Sequence, residues 1–348
     1  MSIWVRTPFG TVLWPFSVVY GGGIRLRKFL YDYDILSSIR LNTKVISIGN
    51  ITVGGTGKTP LVGRVAKLFR EKGYKVVVSS RGYRRKYKRA VIVSDERGIR
   101  LRPEEAGDEP YLLARRLPGV PVVVGKDRAK VGKLALNTWD CDVLLLDDSF
   151  QHLKIKRDLD IVVIDSTNPW GNGKLLPSGR LREPLSGLKR ADVIVFSRCD
   201  ESCDLDKKVA RLGEITDVPV FWANHRPVEW VSFPYSKIHP LDFLKKKPVL
   251  AFAGMGNPRS FQDSVEALGI EVLKFLRYRN HYWYRPKDLN RIARIAKRIG
   301  AVALVTTEKD GVRIPRSIDC KIPIYFLRIE LEIGGGIENL KKVLFSVF

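Results

Sequence analysis

Cysteine is scarce: four residues in 348, at Cys141, Cys199, Cys203 and Cys320. So few, scattered over so long a chain, exclude a disulfide-built scaffold. Cys199 and Cys203 stand four apart, but no second pair and no histidine cluster accompanies them, and a zinc site needs about four ligands. Zinc is not expected, and a reducing cytosol is the expected setting. Internal repeats and low-complexity tracts are missing, which excludes solenoids and biased linkers. A long clean apolar run is missing too. Residues 1–28 (MSIWVRTPFGTVLWPFSVVYGGGIRLRK) come nearest, but Arg6, Pro8, Gly10 and Pro15 interrupt them. They fall short of the roughly 20 apolar residues of a spanning helix. Most of their positive charge follows the apolar part, the wrong order for a signal peptide. Two readings remain open. Trp4, Trp14, Phe16 and Tyr20, with Arg25, Arg27 and Lys28 behind them, suit a segment lying in a membrane interface, and they suit equally a helix packed on the body of the protein.

Acid is in deficit. Lys and Arg number 61 against 37 Asp and Glu, a net charge of +24. An ion-pair-rich surface would explain many charges but not the excess of one sign. The balance points to anionic partners: nucleic acid, acidic lipid headgroups or phosphorylated ligands. No helix-turn-helix, zinc finger or RNA-stacking motif is present, so nucleic acid is not expected.

From residue 44 the chain alternates strand and helix. Val45–Ile48 reads as a short buried strand, and Leu61, Val65, Leu68 and Phe69 recur at helical spacing within Pro60–Lys72. Further strands are expected at Lys75–Ser79, Val120–Val124, Asp142–Leu146, Ile161–Ile164 and Val193–Phe196. This succession predicts an open, mostly parallel sheet with helices on both faces. A smaller α/β set follows: strands at Pro248–Ala253, Val272–Phe275 and Val302–Thr306, with helices at Phe261–Leu268 and Leu289–Ile299. Between the sets, Phe221–Phe233 is aromatic and less periodic, and a boundary is expected near residues 220–235.

Residues 49–60 read GNITVGGTGKTP. A strand, a Gly-rich turn and then Lys-Thr opening a helix form the context of a phosphate-binding loop. Gly54, Gly55 and Gly57 let the backbone N–H groups of the Thr52–Thr59 loop, Thr56 included, turn inward on phosphate oxygens, and the helix N-terminus adds a positive field. Lys58 would neutralise the β and γ phosphates of ATP, and Thr59 would offer its hydroxyl to Mg²⁺. Thr52 stands where the general pattern has its first glycine. Downstream, DVLLLDD (142–148) is an apolar strand ending in two carboxylates, Asp147 and Asp148, as a Walker B element requires to reach that Mg²⁺.

Two classes compete for this loop. A GTPase or ATPase switch, or a nucleic-acid-associated NTPase, is one. VIVFSRCD (193–200) resembles the guanine-reading Asn-Lys-x-Asp only faintly, because Ser197 and Arg198 hold the first two positions. Asp147 is followed by Asp148, Ser149 and Phe150, not by the Asp-x-x-Gly of a switch. A small-molecule kinase is the other. It needs a carboxylate for the acceptor alcohol, and Asp108 and Glu109 in AGDEP (106–110) sit at an expected helix start. His281 lies among aromatic and basic residues in NHYWYR (280–285). The run RGYRRKYKR (81–89) could hold an anionic substrate or an acidic membrane surface.

Taken together, GNITVGGTGKTP, SRGY (80–83), AGDEP, DDSFQH (147–152), GNGKLLPSGRLREP (171–184) and NHYWY (280–284) resemble the tetraacyldisaccharide 4′-kinase family, the lipid A 4′-kinases of Gram-negative bacteria. The resemblance covers nearly the whole chain, and Thr52 is the normal form of that family's loop. It implies transfer of the ATP γ-phosphate to the 4′-hydroxyl of a tetraacyl glucosamine disaccharide 1-phosphate, at the cytoplasmic face of the inner membrane. The implied fold is α/β: a P-loop NTPase-type α/β/α sandwich with a mostly parallel sheet, joined by a hinge to a smaller α/β domain that closes over the site. It makes residues 1–40 a membrane-associating helical segment, 41–225 the ATP-binding domain and 226–348 the smaller domain. A monomer is expected, on an anionic inner-membrane surface. The resemblance makes Asp108 the catalytic base with His281 as its dyad partner, and Lys58 and Thr59 the phosphate and Mg²⁺ ligands. It makes Asp147, Asp148 and Glu183 carboxylates of the metal site, and it turns Arg81, Tyr83, Gln151 and His152 toward the acceptor sugar. Two positions depart from the family pattern: Ser149 stands where glycine is usual, and Asn280 where aspartate often precedes the histidine.

Overall fold

A computed structural model describes residues 12–83, 85, 87, 89–199, 203–235, 237–316, 318 and 320–348. Trp4, Arg6, Pro8 and Gly10 of the N-terminal segment, Arg84, Lys86 and Lys88 of the basic run, and Asp200 lie outside the described residues. The chain divides into two compact units. One contains residues up to Leu101, Leu113–Asn224 and Leu331–Phe348; the other contains Arg102–Leu112 and His225–Glu330.

The first unit is built on strands β1 (Lys44–Gly49), β2 (Val76–Ser80), β3 (Val91–Asp95), β4 (Gly98–Ile99), β5 (Val122–Val124), β6 (Val143–Asp147), β7 (Leu159–Asp165), β8 (Val193–Ser197) and the start of β9 (Val220–Ser232). Their order in space is β9-β8-β7-β1-β6-β2-β5-β3-β4. All pair in parallel except β3 and β4, which turn back as an antiparallel edge. Parallel strands covered on both faces read as continuous apolar runs. β6, with VLLLD fully buried, is such a strand, as is β1, buried from Val45 to Gly49. The helix Lys58–Glu71 buries Leu61, Val62, Val65, Ala66, Leu68 and Phe69 against them. It starts two residues before the expected Pro60, because Gly57 at φ +84° turns the loop directly into the helix.

The second unit holds β10 (Ile238–His239), β11 (Pro248–Ala253), β12 (Glu271–Arg277), β13 (Ala303–Thr307) and the start of β14 (Ile324–Gly334). The order β12-β11-β13-β14 is parallel throughout. Leu250, Phe252, Leu304 and Phe326 pack with Leu289 and Ile292 of the helix Pro286–Arg298. Val249, Ala251 and Val305 pack with Phe261 and Val265 of the helix Pro258–Ala267.

The boundary expected near residues 220–235 falls between Asn224 and His225; what differs is its form, since it lies inside the 13-residue strand β9 and not in a less periodic segment. Two further points differ from expectation. The units are discontinuous, unlike the continuous ranges 41–225 and 226–348. Residues 331–348 group with the first unit because Phe345 meets Phe69 edge-on at 5.2 Å and Phe348 stacks on Tyr74 at 4.2 Å. Residues 12–40 group with that unit too, and 102–112 with the second. Finally, Cys199 and Cys203 are joined as a disulfide.

The tip of β1 is crowded. A Cβ on Gly49 would lie 2.5 Å from Phe150 Cβ and 2.7 Å from Phe150 N. Neither is the end of a flexible side chain, so Gly49→Ala must move backbone. The expected loss of stability is about 1–3 kcal/mol, read from the urea midpoint, together with weaker nucleotide binding. An unchanged midpoint would show that the backbone can yield there.

Candidate active site

The phosphate loop is held from outside as much as by its own glycines. Thr52, the odd residue of the motif, pairs in an isolated antiparallel bridge with Leu181. Val53 N donates to Arg180 O at 2.8 Å, and Arg182 N donates to Ile51 O at 2.7 Å. The loop is thereby fastened to the segment 175–182. Gly54 has φ +126°, and a Cβ there would lie 2.6 Å from the Arg180 guanidinium, which itself donates to Val53 O. Only glycine meets both conditions. From β8, the Ser197 hydroxyl donates to Thr56 O at 2.8 Å, and Arg198 donates to Gly55 O at 2.7 Å while also bonding Asp165. Ser197 and Arg198, which spoil a guanine-reading motif, are scaffolding for the loop.

Register places the carboxylates. Ile48 of β1 lies level with Asp147 of β6, so both strands end at the loop. Asp147 Oδ2 accepts from the Ser80 hydroxyl at 2.9 Å. Asp148, in the left-handed region at φ +53°, faces Lys58 Nζ at 3.4 Å and accepts from Arg182 Nη1 at 2.8 Å. Burial alone would raise its pKa, but Lys58 and Arg182 outweigh that and hold it at about 2. Asp148 is therefore a carboxylate at neutral pH.

Arg128 is a residue that sequence reasoning missed. It is 2% exposed, and it donates to Ser149 Oγ at 3.1 Å and to the carbonyls of Gly125 and Asp147. Burial lowers its pKa to about 10, so it stays cationic. The Ser149 hydroxyl, in the place of the usual glycine, joins this array by donating to Asp147 O. Burial, then Arg128 and Arg81, push His152 down to about 4 and keep it neutral at pH 7. Gln151 donates to Asn50 O at 2.8 Å and to Glu183 Oε1 at 2.7 Å. Tyr83 is half exposed. Arg182 was missed as well, although it lay inside a quoted motif. Nothing in sequence separation pairs it with Asp148.

Mg²⁺ is bound through one or two carboxylates plus substrate phosphates and water, not by an all-protein cage. The donors present suit that pattern: Asp147 and Asp148 at the β6 tip and Thr59 in the first helical turn would offer oxygen atoms to such an ion, and Asp148 is held ionised. Among the described residues, no three His, Cys, Asp or Glu side chains gather as a metal cluster. Glu183, expected among the metal carboxylates, is held by two neighbours. It is 4% exposed, bonded by Arg190 at 2.7 Å and by Gln151.

The helix Trp14–Asp32 joins the same unit along one stripe. Ser17 Oγ donates to Leu175 O at 3.0 Å and accepts from Ser178 N at 2.9 Å, and Tyr20 Oη donates to Arg182 O at 2.9 Å. Trp14, Phe16, Val18, Val19, Leu26 and Phe29 remain exposed. One face of the helix thus packs on the unit, and the other is apolar and exposed among the described residues. Among the described residues no helix is long and apolar enough to cross a membrane.

In the second unit, His281 Nδ1 and Asp108 Oδ2 are 2.7 Å apart, across 173 residues of sequence. Asp108 opens a helix and is 4% exposed. Its Oδ1 accepts from Glu109 N at 3.0 Å. Burial would raise its pKa, but the His281 bond, Lys309 and Arg313 prevail, and it lies below the ordinary carboxylate range. The Asp108–His281 bond forms with Asn280 at the preceding position, while Asp288 bonds the neighbouring Tyr282 at 2.9 Å.

A family model described as tetraacyldisaccharide-1-P 4′-kinase matches residues 9–347. The chain belongs to this family. Among relatives named tetraacyldisaccharide 4′-kinase, that of Syntrophus aciditrophicus (strain SB) is 41% identical over 338 residues, 94% of this chain and 90% of its own. That of Halothermothrix orenii is 40% identical over 341 residues, 92% and 88% of the two chains. The crystal structure of LpxK from Aquifex aeolicus in complex with ATP superposes with a TM-score of 0.79 at 34% identity, over 98% of this chain and 99% of that one. The 4′-kinase reading of the loop therefore stands, and the switch reading is set aside.

Arg198 carries a charge-assisted bond to the loop. Arg198→Ala is expected to weaken ATP binding about 10- to 100-fold, the range of such bonds, in a calorimetric titration. Affinity unchanged within twofold would show that Ser197 and Arg180 hold the loop without it.

Proposed function

We propose that the protein transfers the γ-phosphate of ATP to the 4′-hydroxyl of a tetraacyl glucosamine disaccharide 1-phosphate, a step in lipid A synthesis. The observation that carries this is the match to the 4′-kinase family over residues 9–347. Two chemical centres support it: a phosphate loop backed by paired carboxylates and arginines, and a buried carboxylate–imidazole pair. Phosphoryl transfer requires positioning and charge neutralisation more than covalent chemistry.

In this reading Gly54, Gly55, Thr56 and Gly57 cradle the phosphates through their backbone, and Lys58 neutralises the β and γ oxygens. Thr59, Asp147 and Asp148 hold Mg²⁺, which when bound offsets the remaining phosphate charge. Glu183 keeps Gln151 in place. Arg81, Tyr83, Gln151 and His152 face the acceptor, His152 as a neutral hydrogen-bonding group. Asp108 accepts the proton of the 4′-hydroxyl, with His281 orienting the carboxylate. A carboxylate with a depressed pKa is a weak base, and it suffices because the loose transition state of phosphoryl transfer retains the alcohol proton until late.

The acceptor is anchored by acyl chains, so the enzyme must come to a surface. The exposed apolar face of Trp14–Asp32 and the net charge of +24 favour an anionic one, the cytoplasmic face of an inner membrane. Each surface Lys or Arg there contributes about 1 kcal/mol.

Phosphate appearing on the lipid in detergent micelles, and lost in Lys58→Ala, is the expected result. ATP hydrolysis indifferent to the lipid would sink the assignment. Asp108→Ala should lower kcat by about 10²–10⁴ while ATP affinity changes little; parallel losses in both would remove Asp108 from the base role. Deleting residues 1–28 should weaken sedimentation with anionic vesicles, most visibly at low salt. Unaltered binding would place the membrane contact elsewhere.

A further inference from the structure

Arg313 is the most deeply buried arginine whose charge the reaction as described does not use. It is 1% exposed, and Asp310, its partner, is fully buried. Taking such charges out of water is costly, several kcal/mol per ion, and a buried pair is weak evidence for stability as such. What the pair holds is therefore the question. Arg313 Nη2 donates to Asp310 Oδ1 at 3.0 Å. That same oxygen accepts from Gly254 N and from Tyr284 Oη, each at 2.9 Å, while Asp310 Oδ2 accepts from the Thr307 hydroxyl at 2.6 Å. The carboxylate is thus fixed on both oxygens.

Arg313 in turn reaches both members of the Asp108–His281 pair. Its Nη1 donates to Gly254 O at 3.1 Å. His281 N donates to that same carbonyl, also at 3.1 Å, with His281 in the left-handed region at φ +58°. Gly254 is pinned on its N–H by Asp310 and on its C=O by Arg313, and it has no room for a side chain: a Cβ would lie 2.9 Å from Arg279 O. The Nε of Arg313 donates to Lys309 O at 3.2 Å and stands 3.7 Å from Asp108 Oδ2, the oxygen that His281 bonds. Tyr284 N donates back to Arg313 O at 3.2 Å, closing the 281–284 loop on the same residue. All of these residues lie in the second unit.

We propose that Arg313, locked by Asp310, is the positioning residue of the Asp108–His281 pair: it sets the backbone of His281 through Gly254 and faces the Asp108 carboxylate with a buried positive charge. The inference rests on the reading of Asp108 as the base. The groups around Asp108 are His281 from the 278–285 loop, Lys309 and Arg313 from the segment after β13, and Glu109 on its own helix. Lys309, paired with Glu109, also holds Asp108 down and weighs on it more than Arg313 does; Arg313 adds its charge from 3.7 Å at Asp108 Oδ2, the oxygen that His281 bonds. Arg313 shares its charge between Asp310 and Asp108. Loss of a cation beside a carboxylate favours the protonated form, so loss of Arg313 must move Asp108 upward, and the acid limb of the rate profile with it.

A residue that merely stapled the segment after β13 to β11 would lower melting temperature without moving that limb. The experiment uses the full chain with ATP and the lipid disaccharide 1-phosphate in micelles. Wild type, Asp108→Asn, Arg313→Met, Arg313→Lys and the Asp108→Asn/Arg313→Met and Asp108→Asn/Arg313→Lys double variants are assayed for kcat and KM(ATP) between pH 5 and 9, with thermal melts alongside. In Arg313→Met, kcat should fall about 10- to 100-fold, the range of a lost charge-assisted contact, with KM(ATP) within about twofold and the acid limb at higher pH. In the Asp108→Asn background the same change should cost less than about threefold, because residues acting as a unit are not additive. Arg313→Lys keeps the charge and loses the fork, so its limb should stay near wild type while kcat recovers only in part. An unmoved limb in Arg313→Met with multiplicative losses overturns the proposal. Should Arg313→Met not fold, Arg313→Lys decides in both Asp108 backgrounds: a lowered kcat at unchanged KM that shrinks to less than about threefold in Asp108→Asn supports the proposal, and a wild-type kcat or an equal loss in both backgrounds overturns it. Wild-type activity in Asp108→Asn would instead remove the base reading itself, whatever the Arg313 variants do.

Discussion

The parallel pairing of β1 with β6 is the constraint on which the nucleotide end of this protein depends. Ile48 lies level with Asp147, so the strand that feeds the phosphate loop and the strand that carries the carboxylates end together. That proximity leaves no space at Gly49, whose missing side chain admits Phe150. It also forces the chain to turn at once after β6, with Asp148 at φ +53°. The turn brings Asp148 to Lys58 and Arg182. Had the register slipped by one residue, every side chain of β6 would have exchanged faces, and the carboxylates would have left the loop.

Both chemical centres meet the same electrostatic demand in the same way. A carboxylate removed from water prefers to be neutral, and cations must reverse that preference. Asp148 has Lys58 and Arg182; Asp108 has Lys309 and Arg313, together with the hydrogen bond from His281. In each case burial is the largest influence, and the summed effect of the cations still exceeds it. Part of the chain's excess of basic residues is thus internal: Arg128 and Arg313 are almost wholly buried, held by carbonyls and carboxylates and not by solvent. The remainder leaves an excess of positive charge, in keeping with an anionic substrate.

The two departures from the family pattern are absorbed locally. Ser149 fills the place of a glycine and contributes a hydroxyl that Arg128 uses. Asn280 withholds an acid, and the Asp108–His281 bond forms at 2.7 Å without it. The stretch that holds the expected boundary is a long strand, not a less periodic segment, because its aromatic and β-branched side chains, Phe221, Trp230 and Val231 among them, are buried along it. Aromatic clustering hides the two-residue period that marks a strand, so this element could not be read by alternation alone.

What the sequence determined by itself was the local chemistry: the buried strands, the glycine-rich turn into a helix at Lys58 and Thr59, and the paired aspartates closing an apolar strand. Each is written within a dozen residues, at a period or spacing that backbone geometry translates directly into structure. The resemblance to the 4′-kinases likewise rested on short motifs read in order. Tertiary structure alone decided which cation answers which buried oxygen. Arg182 meets the Asp148 carboxylate across 34 residues and Arg128 the Asp147 carbonyl across 19; the pairing of Asp108 with His281 across 173 residues was implied by the family resemblance, not by separation along the chain. Such partners are chosen by strand order and by the need to satisfy buried polar groups. A sequence of 61 basic and 37 acidic residues offers far too many pairings for separation along the chain to select among them.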